Sequence, residues 1–250
     1  MSLRVASFNI HHGVGLDGVL DLDRTAALIR ATAAEIVGLQ EVDRHLSVRS
    51  GWVDQAGGLA ERLGMHVAFG ANIDLDPDER RGPDSPRRHY GNAVLSAHPI
   101  DAWRNIPLPG RDGAEPRGLL TVRLAVAGAD LIVGCTHLQN RSAAERVAQA
   151  ARVVEVLTPP TPPTPTVLLG DMNAGPAAAA VRALTATFTD AWAVAGTVRF
   201  SGSGGLTFDA ATPHARIDYV LTSGPIRPQA AWVVPTDASD HRPVVADLSI

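Results

Sequence analysis

The stretch Val167-Leu168-Leu169-Gly170-Asp171-Met172-Asn173 constrains this chain more than any other. Its three apolar residues predict a short buried strand that Gly170 ends. Asp171 and Asn173 leave that strand together, and residues two apart in an extended segment point the same way. A strand end opening onto a loop is where a rigid scaffold mounts reactive groups. Taken alone, the pattern describes a strand running into an Asx turn equally well, since Asp, Asn and Gly are turn residues. The other strand ends decide between the two.

Leu3 to Ile10 reads as a strand that ends in Asn9-Ile10-His11-His12-Gly13. Asp21 or Asp23 is placed to cap a helix carrying Ala26, Ala27, Leu28 and Ile29. Ile36-Val37-Gly38-Leu39 predicts a second buried strand, ending in Gln40-Glu41-Val42-Asp43. A helix around Asp54 to Leu63 leads to a third strand near Val67-Ala68-Phe69. Residues 72–91 are polar, with three prolines and four arginines, and read as an exposed loop whose basic residues are either a solvated face or a substrate-facing one. Gly91-Asn92-Ala93-Val94-Leu95-Ser96 opens a fourth strand, and 119–126 with 131–137 form a hairpin around Gly128.

Ser142 to Leu157 repeats apolar residues at helical spacing. The proline-rich run 158–166 follows and is a stiff extended connector. It is expected to be a surface loop inside one domain spanning residues 1–250, because the polar strand ends lie on both sides of it. An Ala-rich helix from Pro176 to Leu184, a Gly/Ser loop at 201–205, and strands at 217–221, 230–234 and 244–250 complete the reading. Strands outnumber helices and many are hairpin-linked, so the sheet is mixed or antiparallel with helices outside.

Polar residues stand where these apolar runs end: Asn9, Glu41, His137 with Asn140, Asp171 with Asn173, Asp218, and Asp240 with His241. Any one of them is explained as a turn or cap residue; their recurrence is not. Carboxylate and amide oxygens suit a hard cation such as Mg²⁺. Histidines without a cysteine cluster argue against structural zinc. An Asp and a His can form a buried pair that fixes the imidazole tautomer.

Composition narrows the function. The net charge is -4 and every basic residue is Arg. An acidic chain argues against a broad nucleic-acid face, which needs clustered positive charge. The single cysteine, Cys135, allows no internal disulfide. No apolar run is long enough to span a bilayer. Arg4 interrupts the first apolar stretch, so no leader is expected there and the default location is the cytoplasm.

Phe8-Asn9-Ile10, Leu39-Gln40-Glu41-Val42, Gly91-Asn92-Ala93-Val94-Leu95-Ser96, Thr136-His137-Leu138, Gly170-Asp171-Met172-Asn173, Arg216-Ile217-Asp218-Tyr219 and Ser239-Asp240-His241 occur in that order. Together they resemble the endonuclease/exonuclease/phosphatase superfamily, the deoxyribonuclease-I-like fold, over the whole chain. The resemblance implies an α/β, four-layered sandwich of two mixed, largely antiparallel β-sheets flanked by helices. It also implies metal-dependent cleavage of phosphate esters, with Mg²⁺ or Mn²⁺ as the cofactor. Carried over by motif, Glu41 is the main metal ligand, with Asn9 and Asp240 beside it. Asp171 activates or aligns water, and Asn173 orients it or the phosphate. His241, paired with Asp218, contacts the phosphate. His137 is expected to protonate the leaving group, and Asn140 to bind a phosphate oxygen. His11 stands where some nuclease relatives carry a carboxylate. It and His12 are expected to face the substrate, unless His12 simply packs. Asn92 and Arg117 complete the set of substrate-binding candidates, with a surface salt bridge as the other reading for Arg117.

The function expected from these residues is hydrolysis of a phosphodiester or phosphomonoester by in-line attack of an activated water. The substrate would be a small-molecule or lipid-derived phosphate ester, and the enzyme a monomer. A metal-dependent nuclease acting on DNA or RNA is the alternative. A catalytically dead binding module would have lost motif residues, and none is lost.

Overall fold

The structure is a computed structural model that describes residues 2–158, 164–195, 197–198 and 204–250. In chain order its strands are β1 (Ser2–Asn9), β2 (Ile36–Arg44), β3 (His66–Leu75), β4 (Arg88–Ser96), β5 (Ile100–Pro107), β6 (Gly118–Val126), β7 (Ala129–His137), β8 (Thr166–Asp171), β9 (Thr189–Asp190), β10 (Thr197–Val198), β11 (Asp218–Ser223), β12 (Arg227–Val233) and β13 (Val244–Ser249). The α-helices are α1 (Leu22–Thr32), α2 (Gln55–Leu63), α3 (Ala143–Leu157), α4 (Ala179–Thr185) and the single turn α5 (Ala191–Val194).

The strands form two sheets, ordered β10-β12-β13-β1-β2-β4-β3 and β5-β6-β7-β8-β11-β9. Both are mixed and mostly antiparallel: β1 runs parallel to β2, β10 to β12, and β7 to β8. Alternation sorts each strand's side chains to two faces. Leu3 and Val5 of β1 meet Val133 and Cys135 of β7, Val167 and Leu169 of β8, and Val220 of β11 in the core between the sheets. Ala6 and Phe8 face the other way, under Ala26 and Ile29 of α1 and Leu59 of α2. Leu168 of β8 faces away from the first sheet, beneath Val153 and Leu157 of α3 and Leu184 of α4. The result is helix, sheet, sheet, helix: the four-layered sandwich the resemblance implied.

The sheets approach closely at Gly38, where an added Cβ would lie 2.7 Å from Cβ of Leu169. Side-chain caps start the helices: Asp21 accepts the N–H of Arg24, Asp54 that of Gly57, and Ser142 that of Glu145.

Three local expectations change. The polar segment 72–91 is less of a loop than its composition suggests, because β3 extends to Leu75 and β4 begins at Arg88. Alternation survives there as Ile73, Asp74, Leu75 against Arg88, His89, Tyr90. The Ala-rich helix begins at Ala179, with Pro176 in the preceding turn. Strand β5 is not singled out in the sequence because it is a sheet edge with mostly exposed side chains, Trp103 among them. Residues 159–163 of the proline-rich connector and 201–203 of the Gly/Ser loop lie outside the described residues.

Candidate active site

Register builds the site. His137 at the end of β7 pairs with Asp171 at the end of β8, and Asp171 pairs with Asp218 at the start of β11. The three form a row across the second sheet. By parity they share the face of Cys135, Leu169 and Val220, toward the first sheet. Asn9 shares the face of Leu3 and Val5 and comes from the opposite side.

Glu41 does not follow this alternation. The pairing of β2 with β4 shifts between Leu39 and Val42, and Glu41 has a left-handed backbone with φ 57°. That bulge turns the carboxylate, which strict alternation would send under the helices, toward Asn9. Nδ2 of Asn9 then donates to Oε1 of Glu41 at 3.2 Å and to Oδ2 of Asp171 at 3.1 Å. Oδ1 of Asn9 accepts the N–H of His11 at 3.0 Å. Asn9 therefore holds two carboxylates in place through its amino group, while its oxygen accepts one backbone N–H.

Asp171 is buried, and its Oδ1 accepts the N–H of Asn173 at 2.8 Å. Asn173, at φ 48°, donates from Nδ2 to the Leu138 carbonyl at 2.9 Å. A carbonyl only accepts, so this contact sets the orientation of the amide. The same Nδ2 lies 2.9 Å from Nε2 of His137, which is also 3.4 Å from Oδ2 of Asp171, so this nitrogen sits between an amide and a carboxylate. Nδ1 of His137 is buried without a partner. Burial, followed by the charges of Arg117 and His241, holds His137 well below its usual range.

Nδ1 of His241 donates to Oδ2 of Asp218 at 3.0 Å. Ser239 fixes the loop, accepting the N–H of His241 at 3.1 Å and donating to the Asn9 carbonyl at 2.8 Å. Burial opposes charge on His241, but Asp218, Asp171 and Asp240 outweigh it and push the imidazole up to about 10. Its Nε2 lies 3.7 Å from Oδ2 of Asp171. Burial and the neighbouring Asp218 raise Asp171 above the ordinary carboxylate range, against the pull of His241. Burial also raises Glu41; the Asn9 hydrogen bond works against this and the nearby Asp240 adds to it.

Glu41 and Asp171, both raised above the ordinary carboxylate range chiefly by burial, are oxygen donors of the kind a divalent cation fits. Ligand atoms of Asp171, Asp218 and His241 lie within 4.8 Å of one another and form a possible metal group. Glu41 and Asp240 line one cavity with Asp171 and His241.

A cavity of about 600 Å³ opens over these groups. Glu41, His137, Asn140, Asp171, Asn173, Asp240, His241 and Arg117 line it. Arg117 is only 5% exposed and lies 2.7 Å from Glu115, while its Nε is buried with no hydrogen-bond partner. The ion pair expected as the other reading is therefore present, but it joins a guanidinium buried at the cavity wall to a partly exposed carboxylate. Asn92 is not brought to the cavity surface. It is buried, and its Nδ2 donates to the Gly118 carbonyl at 3.1 Å, so it supports the chain next to Arg117. His11 sits beside Asp240, with 3.8 Å between Nδ1 and Oδ1. His12 packs: its carbonyl accepts from Gln55 at 2.6 Å, and burial, aided by Arg49, lowers its imidazole to about 4. Sequence reading missed Arg49, Ile73, Leu75, Tyr90 and Phe208, which also line the cavity. The alternation Ile73-Asp74-Leu75 was the available signal.

Comparison with known proteins places this geometry. The family model described as Endonuclease/Exonuclease/phosphatase family matches residues 6–241. The chain is 29% identical over 269 aligned residues to the uncharacterized protein YbhP of Escherichia coli, covering 100% of this chain and 97% of that one. The crystal structure of an endonuclease/exonuclease/phosphatase from Beutenbergia cavernae superposes with a TM-score of 0.82 at 32% identity, covering 100% of this chain and 72% of that one. The mannosyl-6-phosphatase Bt3783 of Bacteroides thetaiotaomicron shares the fold, with a TM-score of 0.79 at 19% identity over 99% of this chain and 100% of its own.

Proposed function

The chain belongs to the endonuclease/exonuclease/phosphatase family, and we propose that it is a divalent-metal-dependent phosphoesterase that hydrolyses a small phosphodiester or phosphomonoester. The observation that carries this reading is the convergence of Glu41, Asp171 and the charged His241 on one cavity, with Asn9 joining the first two carboxylates.

Glu41 and Asp240 would hold Mg²⁺ or Mn²⁺, which supplies Lewis-acid stabilisation of charge on a phosphoryl oxygen. Asn9 keeps Glu41 aimed at that position. Asp171, whose raised proton affinity suits a base, takes a proton from water as the water oxygen bonds to phosphorus. Asn173 holds Asp171 through its backbone N–H. The ester P–O bond opposite the incoming water breaks, and the departing oxygen takes its proton from solvent. His241, charged and held by Asp218, donates to a phosphoryl oxygen as negative charge grows there. Arg117 and Asn140 add N–H donors from the other wall, and a buried guanidinium suits a phosphate oxygen. His137 remains neutral and keeps Asn173 in place.

The same reading holds the enzyme to be a cytoplasmic monomer, which fractionation and size-exclusion chromatography test. No helix among the described residues is long and apolar enough to cross a membrane. The deciding experiment is a hydrolysis panel with Mg²⁺ and with Mn²⁺. It covers sugar phosphates, small phosphodiesters, phospholipid headgroups and nucleic acids. Turnover of a small ester that vanishes on chelation is expected. Inactivity toward every phosphate ester with either metal would overturn the reading.

A further inference from the structure

One arm of the catalytic cavity has a chemistry of its own. In the β3–β4 ribbon Ile73 pairs with Tyr90 and Leu75 with Arg88, so these four side chains share a face, and all four line the cavity. Asp74 and His89 point the other way, joined at 3.1 Å. Leu46, in the loop after β2, lines the same cavity.

The cations on this arm are partly engaged. Arg49 clasps Asp43 at 2.9 and 2.7 Å, and Arg88 donates from Nε to the Asp76 carbonyl at 2.8 Å. Arg49 also sits 5.5 Å over the Tyr90 ring, and Phe208 packs 4.9 Å from His241. Beside these groups the arm offers a ligand three aliphatic side chains: Leu46, Ile73 and Leu75, the last 41% exposed.

We propose that this arm is a subsite for an aliphatic ester group, so that the substrate is an amphiphilic phosphate ester with its phosphate over Asp171 and His241 and a short alkyl segment between Leu46 and the Ile73–Leu75 ribbon. The proposal rests on the phosphoesterase reading for its phosphate end. Burying alkyl carbons against side chains that otherwise face water gives affinity that grows with chain length until the chain passes Leu75.

The test separates the two ideas. Binding of methyl-, ethyl-, propyl- and butylphosphonate to the full chain with Mg²⁺ is measured by calorimetry. Each methylene is expected to tighten binding about fourfold. Leu75→Asp, at the exposed end of the ribbon, is expected to reduce that to less than about twofold per methylene. Equal affinity for methyl- and butylphosphonate, an unchanged series in Leu75→Asp, or equal affinity for a hydroxylated phosphonate of butyl length would overturn the subsite. Absence of binding by every phosphonate would overturn it as well. Hydrolysis of methyl and butyl p-nitrophenyl phosphate is followed in parallel. Turnover without a chain-length slope in binding removes the subsite and leaves the phosphoesterase; a binding slope without turnover does the reverse.

Discussion

His241 and Asp218 reach each other from different sheets, with Nδ1 of the first 3.0 Å from Oδ2 of the second. Asp218 begins β11 of one sheet, and His241 lies just before β13 of the other. The pair therefore forms only when the sheets are packed, and it places a charged imidazole beside Asp171.

Asp218→Asn should lower turnover about 100-fold, the cost of losing one preorganised donor to developing charge, while the Michaelis constant changes little. The pH profile gives a second readout. The fold raises His241 to about 10, against about 6.5 when unfolded. Its protonated form therefore persists through neutral pH and is lost only as pH rises toward 10. Stability from this pair is full below about 6.5 and is lost as pH rises from there through about 10. In Asp218→Asn the alkaline limb of activity should move toward neutrality; an unmoved limb argues that His241 does not carry it.

Glu41→Gln tests the cation. Saturating Mg²⁺ should raise the melting temperature of the parent protein, since a ligand at a hundredfold its dissociation constant stabilises by about 2.7 kcal/mol. The variant should need at least about 10–100-fold more Mg²⁺ for the same shift, the range already found for groups that only support a metal ligand. Equal titration curves for parent and variant would remove Glu41 from the site.

Gly38→Ala probes the seam between the sheets. Its new Cβ would sit 2.7 Å from Leu169 Cβ, where both backbones are fixed in strands. Overpacking of this kind costs about 1–3 kcal/mol. Thermal unfolding should show it as a lower midpoint, and an unchanged midpoint would mean the sheets separate more easily than they are packed.

Nucleic acid should be a poor substrate. In the arginine-rich segment Arg87 bonds Asp74 and Asp76, and Arg80 bonds Asp78, each at 2.7 Å. These charges are spent within the protein. Cleavage of duplex and single-stranded DNA, measured beside a small phosphodiester over a range of salt, should be slow. Efficient DNA cleavage that falls with a log–log slope of roughly −0.9 per phosphate contact would restore the nuclease alternative.

The sequence by itself determined most of the strands, their polar ends and the order of the motifs. Alternation, caps and turn residues are local, and they put Asn9, His137, Asp171, Asp218 and His241 at the ends of apolar runs before any packing is known. Local patterning could not orient Glu41, because a bulge at φ 57° reverses the side its position would choose. Nor could it show that burial suppresses charge on His137, with Arg117 and His241 adding to the effect. The segment 72–91 read as loop because its charges mask an alternation that matters only once β4 lies beside β3. Asn92, placed by motif among the substrate-binding residues, lies beneath the surface, where its amide donates to the Gly118 carbonyl. Direction, burial and proton affinity are set by which strands face each other. Only the closed sandwich decides that, since contacts between residues far apart in the chain form when the two sheets meet.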